Sequence, residues 1–390
     1  MHPVAAIIVG AELNGLGILR SLARGGMPIR ILDLDRNVPG IWSRYARSQL
    51  ISGFKGRNFM SEMIEIGQQF SQRPMLFLTG EESLHAISEN RDILRPHFRF
   101  RLPEDSAVKM LSDKAKFHEF ASNNAFPVPR TAVLANLDDL ENLAQLNFPA
   151  VLKPEDKRHV LSGQKARAVQ VHDLREAVDM AIAMLQTPGG IVAQEWIEGP
   201  ESNIYFTLFY RGAEGRTVSV FTGRKLRCFP RDVGSTAVCI AAPEASGILE
   251  PMTLAFADRA RFEGMGSVEY KFDARRRQFL MIEPTVGRSD WQEEIATLSG
   301  VNLPLAAYRH EVGLPALREA PPRWPVVWAS SLAQRAPPEL LPKVYRKKDG
   351  YWRWQDPLPA LAYYGKDSLR RQFERLLSNG GSMRQRSAKQ

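Results

Sequence analysis

Glu269 and Glu283 are the residues whose spacing first suggests chemistry. They lie in two alternating runs, Gly266–Asp273 and Gln278–Glu283, joined by the polar, arginine-rich Ala274–Arg277. That pattern predicts a β-hairpin. A loop with an odd number of residues centred on Arg276 would set the two carboxylates directly opposite each other on one face. Like charges so placed repel unless a cation bridges them. Magnesium, which takes a few carboxylates together with phosphate oxygens, answers that need. Two carboxylates solvated on an open sheet surface are the alternative from the hairpin alone.

Three lysines could serve the same chemistry. Lys114 follows Asp113 on a predicted helix, Lys153 ends a predicted strand just before Pro154, and Lys225 lies within Phe221–Arg227. A lone lysine is ordinarily solvated, but lysines at the ends of elements that also hold a metal pair become charge partners for polyphosphate. Ala193–Glu201 reads as a strand running into a Gly-Pro turn. Extended backbone there offers an N–H and a C=O to a flat heterocycle, with Gln194 or Glu195 meeting its amino group. A plain surface strand end is the other reading. Arg227, Arg231, Asp290 and Trp291 flank these segments and are candidates for substrate recognition, unless Arg227 and Arg231 alternate out to solvent. Cys228 and Cys239 have no histidine beside them in sequence to activate a thiolate, so they read as core or strand residues. The seven histidines show no metal-ligand spacing, and His118, one turn past Lys114, reads as a helix-face residue rather than a base.

The elements that must position these residues begin with a βαβ unit. Ala5–Val9 is a short apolar strand ending at Gly10, Leu13–Ala23 carries a helical apolar face closed by Gly25-Gly26, and Ile29–Leu32 returns as a strand. Gly10, Gly15 and Gly17 lie where a dinucleotide fingerprint has glycines, but their order is not G-x-G-x-x-G. Leu76–Thr79 and Gly80–Asn90 extend the unit by a strand and a helix. Residues 106–122 are predicted as one helix, halted by Pro127-Val128-Pro129. Thr131–Leu134, Pro149–Pro154, Ala166–Val171 and Ile191–Ile197 read as strands, with helices over Leu137–Leu146 and Asp173–Gln186. Antiparallel hairpins follow through Glu283, giving an α+β domain after an α/β one. Dense proline and tryptophan from Glu319 onward predict an irregular extension. The polar, Gly-rich Ser378–Gln390 reads as a disordered basic tail.

Composition bounds the function classes. The chain has 390 residues, 44% hydrophobic and 24% charged, enough for two or three globular domains. Apolar runs such as Val4–Val9 fall far short of the roughly 20 residues of a membrane span, no secretory signal is evident, and two cysteines cannot make a disulfide scaffold. A cytoplasmic protein that meets no membrane is expected. Fifty-two Lys and Arg against 43 Asp and Glu give a net charge of +9, suited to anionic partners. No nucleic-acid-binding module accompanies the charge, so nucleic acid is not an expected partner.

Taken in order, these motifs resemble the ATP-grasp superfamily from Leu102 to Leu305. Asp113-Lys114, the Pro-x-x-x-Lys-Pro of Pro149–Pro154, the run Gln194–Glu201 and the pair Glu269 and Glu283 fall where that family has them. The chain is most similar to the carboxylate–amine ligases, which are related to the D-aspartate and D-alanine–D-alanine ligases. Gly223–Arg227, Phe229-Pro230, Gly234 and Glu283–Arg288 carry that likeness. The resemblance implies a pre-ATP-grasp, Rossmann-like N-terminal domain (1–103), small and large ATP-grasp subdomains (104–192 and 193–318), an irregular C-terminal extension (319–377) and the tail (378–390). It implies that Gln194 and the backbone of Glu195 and Ile197 hold adenine, that Glu201 binds ribose, and that Lys114 and Lys153 clamp the ATP phosphates. Lys225 would face the γ-phosphate, Glu269, Glu283 and Thr285 would bind one or two magnesium ions (manganese being the alternative), and Arg288 would stabilise the transferred phosphoryl group or the substrate carboxylate. The implied activity is ATP-dependent activation of a small-molecule carboxylate as an acyl phosphate and its ligation to an amine. A homodimer is compatible with it, although the sequence does not set the oligomeric state.

Thr285 stands where the family usually has asparagine, Arg288 is displaced by one position, and Glu155–Gln164 has a single glycine, Gly163, where relatives have a glycine-rich flap. Two other readings therefore stay open: a degenerate ATP-grasp protein that binds nucleotide without turnover, and an NAD-dependent oxidoreductase built on the N-terminal βαβ unit.

Overall fold

The computed structural model describes residues 3–154, 168–186, 189–231, 234–317 and 319–365; the flap segment 155–164 and the tail 378–390 lie outside them. The chain opens with β1 (Ala6–Val9), α1 (Leu13–Ala23), β2 (Ile29–Asp33), β3 (Arg47–Leu50), α2 (Gly56–Gln68), β4 (Met75–Leu78), α3 (Glu81–Glu89) and α4 (Arg91–Leu94). The strands form a parallel sheet in the order β3-β2-β1-β4. β1 is apolar along its whole length and wholly buried, as a strand covered on both faces must be.

The helix predicted over 106–122 is two, α5 (Asp105–Ser112) and α6 (Lys114–Asn123). Asp113 breaks it: its backbone is extended and its carboxylate accepts the Lys116 N–H at 3.0 Å, capping α6. Lys114 thereby becomes the first residue of a helix that starts at the site. A small antiparallel sheet follows, built from β5 (Thr131–Leu134), β6 (Ala150–Pro154), β7 (Val169–Val171) and β8 (Ile191–Glu195) in the order β5-β8-β6-β7. It is backed by α7 (Leu174–Leu185) and by Leu137–Gln145, a 3-10 helix rather than the expected α-helix, with a capping box at Asn136. β8 lies wholly in this sheet, so the boundary expected between 192 and 193 falls inside a strand.

The large sheet contains β9 (Ile204–Arg211), β10 (Thr217–Phe229) and β11 (Ser235–Ala241), then, after α8 (Pro243–Arg259), β12 (Gly264–Asp273) and β13 (Gln278–Val286). Beyond α9 (Glu294–Leu298) and α10 (Leu303–Glu311) it gains β14 (Val326–Ala329) and β15 (Arg346–Asp349). Its order is β13-β12-β9-β10-β11-β14-β15. The extension from 319 is therefore not irregular throughout. Pro321, Pro322 and Pro325 all stand before Val326, and the buried run Val326–Ala329 pairs with β11.

One apolar core runs from the N-terminal sheet (Ile7, Leu76) through α5 and α6 (Val108, Phe117) to the large sheet (Phe209, Met281), whereas the small sheet has a core of its own. Polar anchors join the ends of the chain. The buried guanidinium of Arg20 on α1 meets Asp356 at 3.1 Å and the carbonyls of Gly350 and Tyr351 at 2.7 and 2.6 Å. Glu293 and Glu294 are buried at the start of α9. Glu294 is held by Arg353 at 2.7 Å and by the Trp328 Nε1–H at 3.0 Å. Glu293, 2% exposed, has only a long 3.5 Å contact with the Thr297 hydroxyl, and its Oε2 has no hydrogen-bond partner. Burial, with Glu294 adding to it, pushes the Glu293 carboxyl up to about 8. Among the described residues no helix is long and apolar enough to cross a membrane.

Candidate active site

A cleft of about 1230 Å³ opens where the three sheets meet. It is larger than a typical pocket for one small ligand, roughly 300–1,000 Å³. The strand ends of the N-terminal sheet contribute Gly10, Asp33 and Thr79, the small sheet Lys153 and Gln194, and the large sheet Lys225, Glu269 and Glu283. Lys114, Glu195, Ile197, Thr285, Arg288, Asp290 and Trp291 line it too.

The β12–β13 hairpin sets Glu269 opposite Glu283, but not by the expected route. The turn is the even, four-residue Ala274–Arg277, and Tyr270 pairs with Met281. A register shift between Tyr270 and Glu269 leaves Ile282 as an extra residue, and this bulge restores the Glu269–Glu283 pairing. Glu269 is ion-paired with Lys225, which is 5% exposed on β10. Burial pulls the Lys225 ammonium down while Glu269 pulls it up, and the net shift is upward. Burial lifts the Glu269 carboxyl, opposed by Lys225. Among the described residues no three His, Cys, Asp or Glu side chains gather into a closed metal cage. The donor set is two opposed carboxylates with the Thr285 hydroxyl two residues along β13. That set suits magnesium, which keeps water and phosphate oxygens as its other ligands.

Arg227, Arg231 and Glu201 do not line the cleft. A bulge after Lys225 moves Arg227 into register with Val238, and its guanidinium donates to the Arg335 carbonyl at 3.2 Å. Arg231 is exposed, and Glu201 starts a short 3-10 turn. Asp290 lines the cleft, yet its carboxylate is engaged by the Ser267 hydroxyl at 3.0 Å, the Trp291 N–H at 2.8 Å and the Gln292 amide at 2.9 Å.

At the β8 end, the Glu195 N–H donates to the Arg130 carbonyl at 2.9 Å, so it is not open to a base. Its buried carboxylate instead reaches across to Arg276 at 2.5 Å, tying the small sheet to the hairpin turn. The Trp196 N–H donates to Pro149 at 2.9 Å, whereas the Ile197 N–H, just past the strand, makes no hydrogen bond with any described residue. Gln194 is turned toward His118, the two meeting at 2.6 Å.

Sequence reasoning gave no site role to four residues here. His118 shared a helix face with Lys114, a four-residue spacing that pointed to it. Lys271 stands two residues from Glu269 on β12, and its ammonium lies 4.8 Å from the centre of the Trp196 ring. Arg276 was read only as part of a polar turn. Thr236 carries a buried hydroxyl with no hydrogen-bond partner in the cleft wall, and no sequence signal marked it. Cys228 and Cys239 are buried, free thiols; burial raises both, the first to about 11.

The dinucleotide reading loses its loop. Gly10 has φ 99°, and a Cβ there would lie 2.0 Å from the Thr79 hydroxyl; one on Gly15 would lie 2.0 Å from the Gly10 carbonyl. These glycines serve close packing of helix on strand. The Asp33 carboxylate, where such a fold would hold ribose, accepts the Ala11 N–H at 2.7 Å and the Asp35 N–H at 3.1 Å.

No protein-family model matches the chain. A carbamoyl-phosphate synthase of Methanobrevibacter smithii is 24% identical over 198 residues, covering 50% of this chain and 51% of that protein. The chain thus spans about half the length of the curated relative it matches. Among solved structures it is similar to an N5-carboxyaminoimidazole synthetase from Staphylococcus aureus complexed with ADP, with a TM-score of 0.64 at 13% identity, covering 84% of this chain and 81% of that one. It is also similar to the biotin carboxylase domain of the Hydrogenobacter thermophilus 2-oxoglutarate carboxylase, solved with MgADP, ADP and bicarbonate. There the TM-score is 0.60 at 13% identity, with 82% and 72% of the two chains covered. In architecture, then, this chain has the ATP-grasp fold behind a Rossmann-like N-terminal domain.

Proposed function

We propose that the chain is an ATP- and magnesium-dependent ligase that activates a carboxylate as an acyl phosphate and joins it to an amine. The observation that carries this reading is the convergence, in one cleft, of the opposed Glu269 and Glu283 with Lys114, Lys153, Lys225 and Arg288. Paired carboxylates beside four cations suit a metal-bound polyphosphate and little else of that size. The ADP and MgADP in the two structural neighbours support it.

Glu269, Glu283 and Thr285 would hold magnesium, which when bound would neutralise charge on the β- and γ-phosphate oxygens. Lys114, from the start of α6, and Lys153, from the end of β6, reach the cleft from two elements and would fix the phosphate chain. Lys225, itself almost wholly buried and kept protonated by Glu269, supplies a fixed positive charge whose buried setting strengthens it. The carboxylate oxygen attacks the γ-phosphorus and ADP leaves; the amine nitrogen then attacks the acyl carbon and phosphate leaves. The Ile197 N–H would donate to the adenine edge. Both substrates are small molecules in this reading, held in the part of the cleft toward the N-terminal sheet.

Calorimetry of ATP binding with and without magnesium, on the wild type and Glu283→Ala, tests the proposal, followed by ADP release against a panel of acids and amines. Magnesium-dependent binding that the substitution abolishes is expected, with ADP released for one acid–amine pair. Absence of ATP binding by the wild type would overturn it. Binding with no ADP released from any pair would favour the non-catalytic alternative.

A further inference from the structure

His118 is buried under the cleft, 6% exposed, and the mechanism above makes no use of it. Its hydrogen bonds take one direction once the Thr131 proton is placed on the Pro129 carbonyl. The Pro129 carbonyl, 3.1 Å from the Thr131 hydroxyl, can only accept, so the Thr131 proton points to it. The lone pairs of Thr131 Oγ1 then face two donors, His118 Nδ1 at 3.5 Å and Gln194 Nε2 at 3.3 Å. With its proton on Nδ1, the imidazole presents a bare Nε2, which accepts the other Gln194 amide hydrogen at 2.6 Å. Both hydrogens of the Gln194 amide are therefore directed inward. Its oxygen makes no hydrogen bond with any described residue, on a side chain that lines the cleft.

A charged imidazole would donate from Nε2 and force the amide to turn over. Burial, reinforced by Lys153 and Lys114, holds His118 down at about 4, so it is neutral at physiological pH.

We infer that His118, with Thr131, is a positioning residue that locks the Gln194 amide oxygen toward the cleft and so makes the base subsite select a purine with a 6-amino group over one with a 6-oxo group. The amide oxygen accepts from an exocyclic amino group and meets a 6-oxo group as one acceptor meets another. An unanchored glutamine would turn over and serve either base; the anchored one cannot. The inference rests on the nucleotide-binding reading of the cleft and adds to it what sets the choice of base.

The test compares magnesium-dependent binding of ATP and ITP, which differ at the 6-position, by the wild type, His118→Leu, His118→Gln and Thr131→Val, with thermal unfolding run on each. The wild type should prefer ATP by tenfold or more, as a site with a committed polar group does. In His118→Leu that preference should fall about tenfold, the equivalent of one hydrogen bond, through a gain in ITP affinity as well as a loss for ATP. His118→Gln restores an acceptor near the Nε2 position and should recover the preference. Thr131→Val should weaken it, and it carries the test if His118→Leu does not fold. An unchanged ATP-to-ITP ratio in the folded variants, even with both affinities reduced together, would overturn the inference. A wild type that binds neither nucleotide would instead overturn the underlying function.

Discussion

Replacing Glu293 with glutamine should stabilise the protein, and by an amount that grows with pH. The carboxyl is buried with one oxygen unpartnered, and it titrates near 8 in the folded chain against an ordinary 4.5. Between those values the folded state keeps a proton that the unfolded state has released, so unfolding free energy falls as pH rises. The slope is about 1.4 kcal/mol per pH unit. Over the full shift this reaches about 5 kcal/mol by pH 8 and stays level above it, with about 3 kcal/mol already lost at pH 7. These are ceilings, because local loosening that admits water would let the carboxylate ionise at less cost. Glu293→Gln keeps the shape and cannot ionise. The assay is urea unfolding of both proteins at pH 5, 6, 7 and 8. At pH 5 the two should agree to within about 1 kcal/mol, and by pH 8 the variant should be ahead by several. Parallel stability profiles across that range would refute the reasoning and mean that Glu293 finds a partner or water in solution.

Two further outcomes follow from the site. Lys225→Met should abolish turnover and cost about 3–5 kcal/mol of stability, because Glu269 is left partly buried without its cation; the double variant with Glu269→Gln should regain most of the stability and none of the activity. Cys228 and Cys239 should resist a thiol reagent at pH 8 in the native protein and both react once it is unfolded in urea, since burial keeps each thiol protonated.

Where the sequence could be read and where it could not has a physical pattern. The opposed carboxylates were legible because alternation along a strand fixes which residues share a face. The bulge at Ile282 that brings them opposite was not, because one extra residue in a ladder leaves no mark in composition. The same kind of irregularity hid the fate of Arg227: a regular β10 would keep it on the Lys225 face, and the bulge between them moves it off. Pro321, Pro322 and Pro325 masked β14, although each stands before the strand rather than in it. The pattern put Lys114 and Lys153 at element ends, and both line the cleft. His118, Arg276 and Thr236 were missed because their roles depend on partners that only the tertiary structure supplies.

The Arg20–Asp356 contact also sets a schedule. The two residues are 336 positions apart, an interval of roughly 17 to 67 s at an elongation rate of about 5–20 residues per second. During that interval the first helix has left the ribosome with a guanidinium destined for the interior and nothing to receive it. The N-terminal sheet can collapse in that time, but it does not reach its final packing until β15 and the turn after it have been made. The N-terminal sheet is thus completed late, and the nascent chain depends on Asp356 and its neighbours, far downstream, to stop exposing that charged seam.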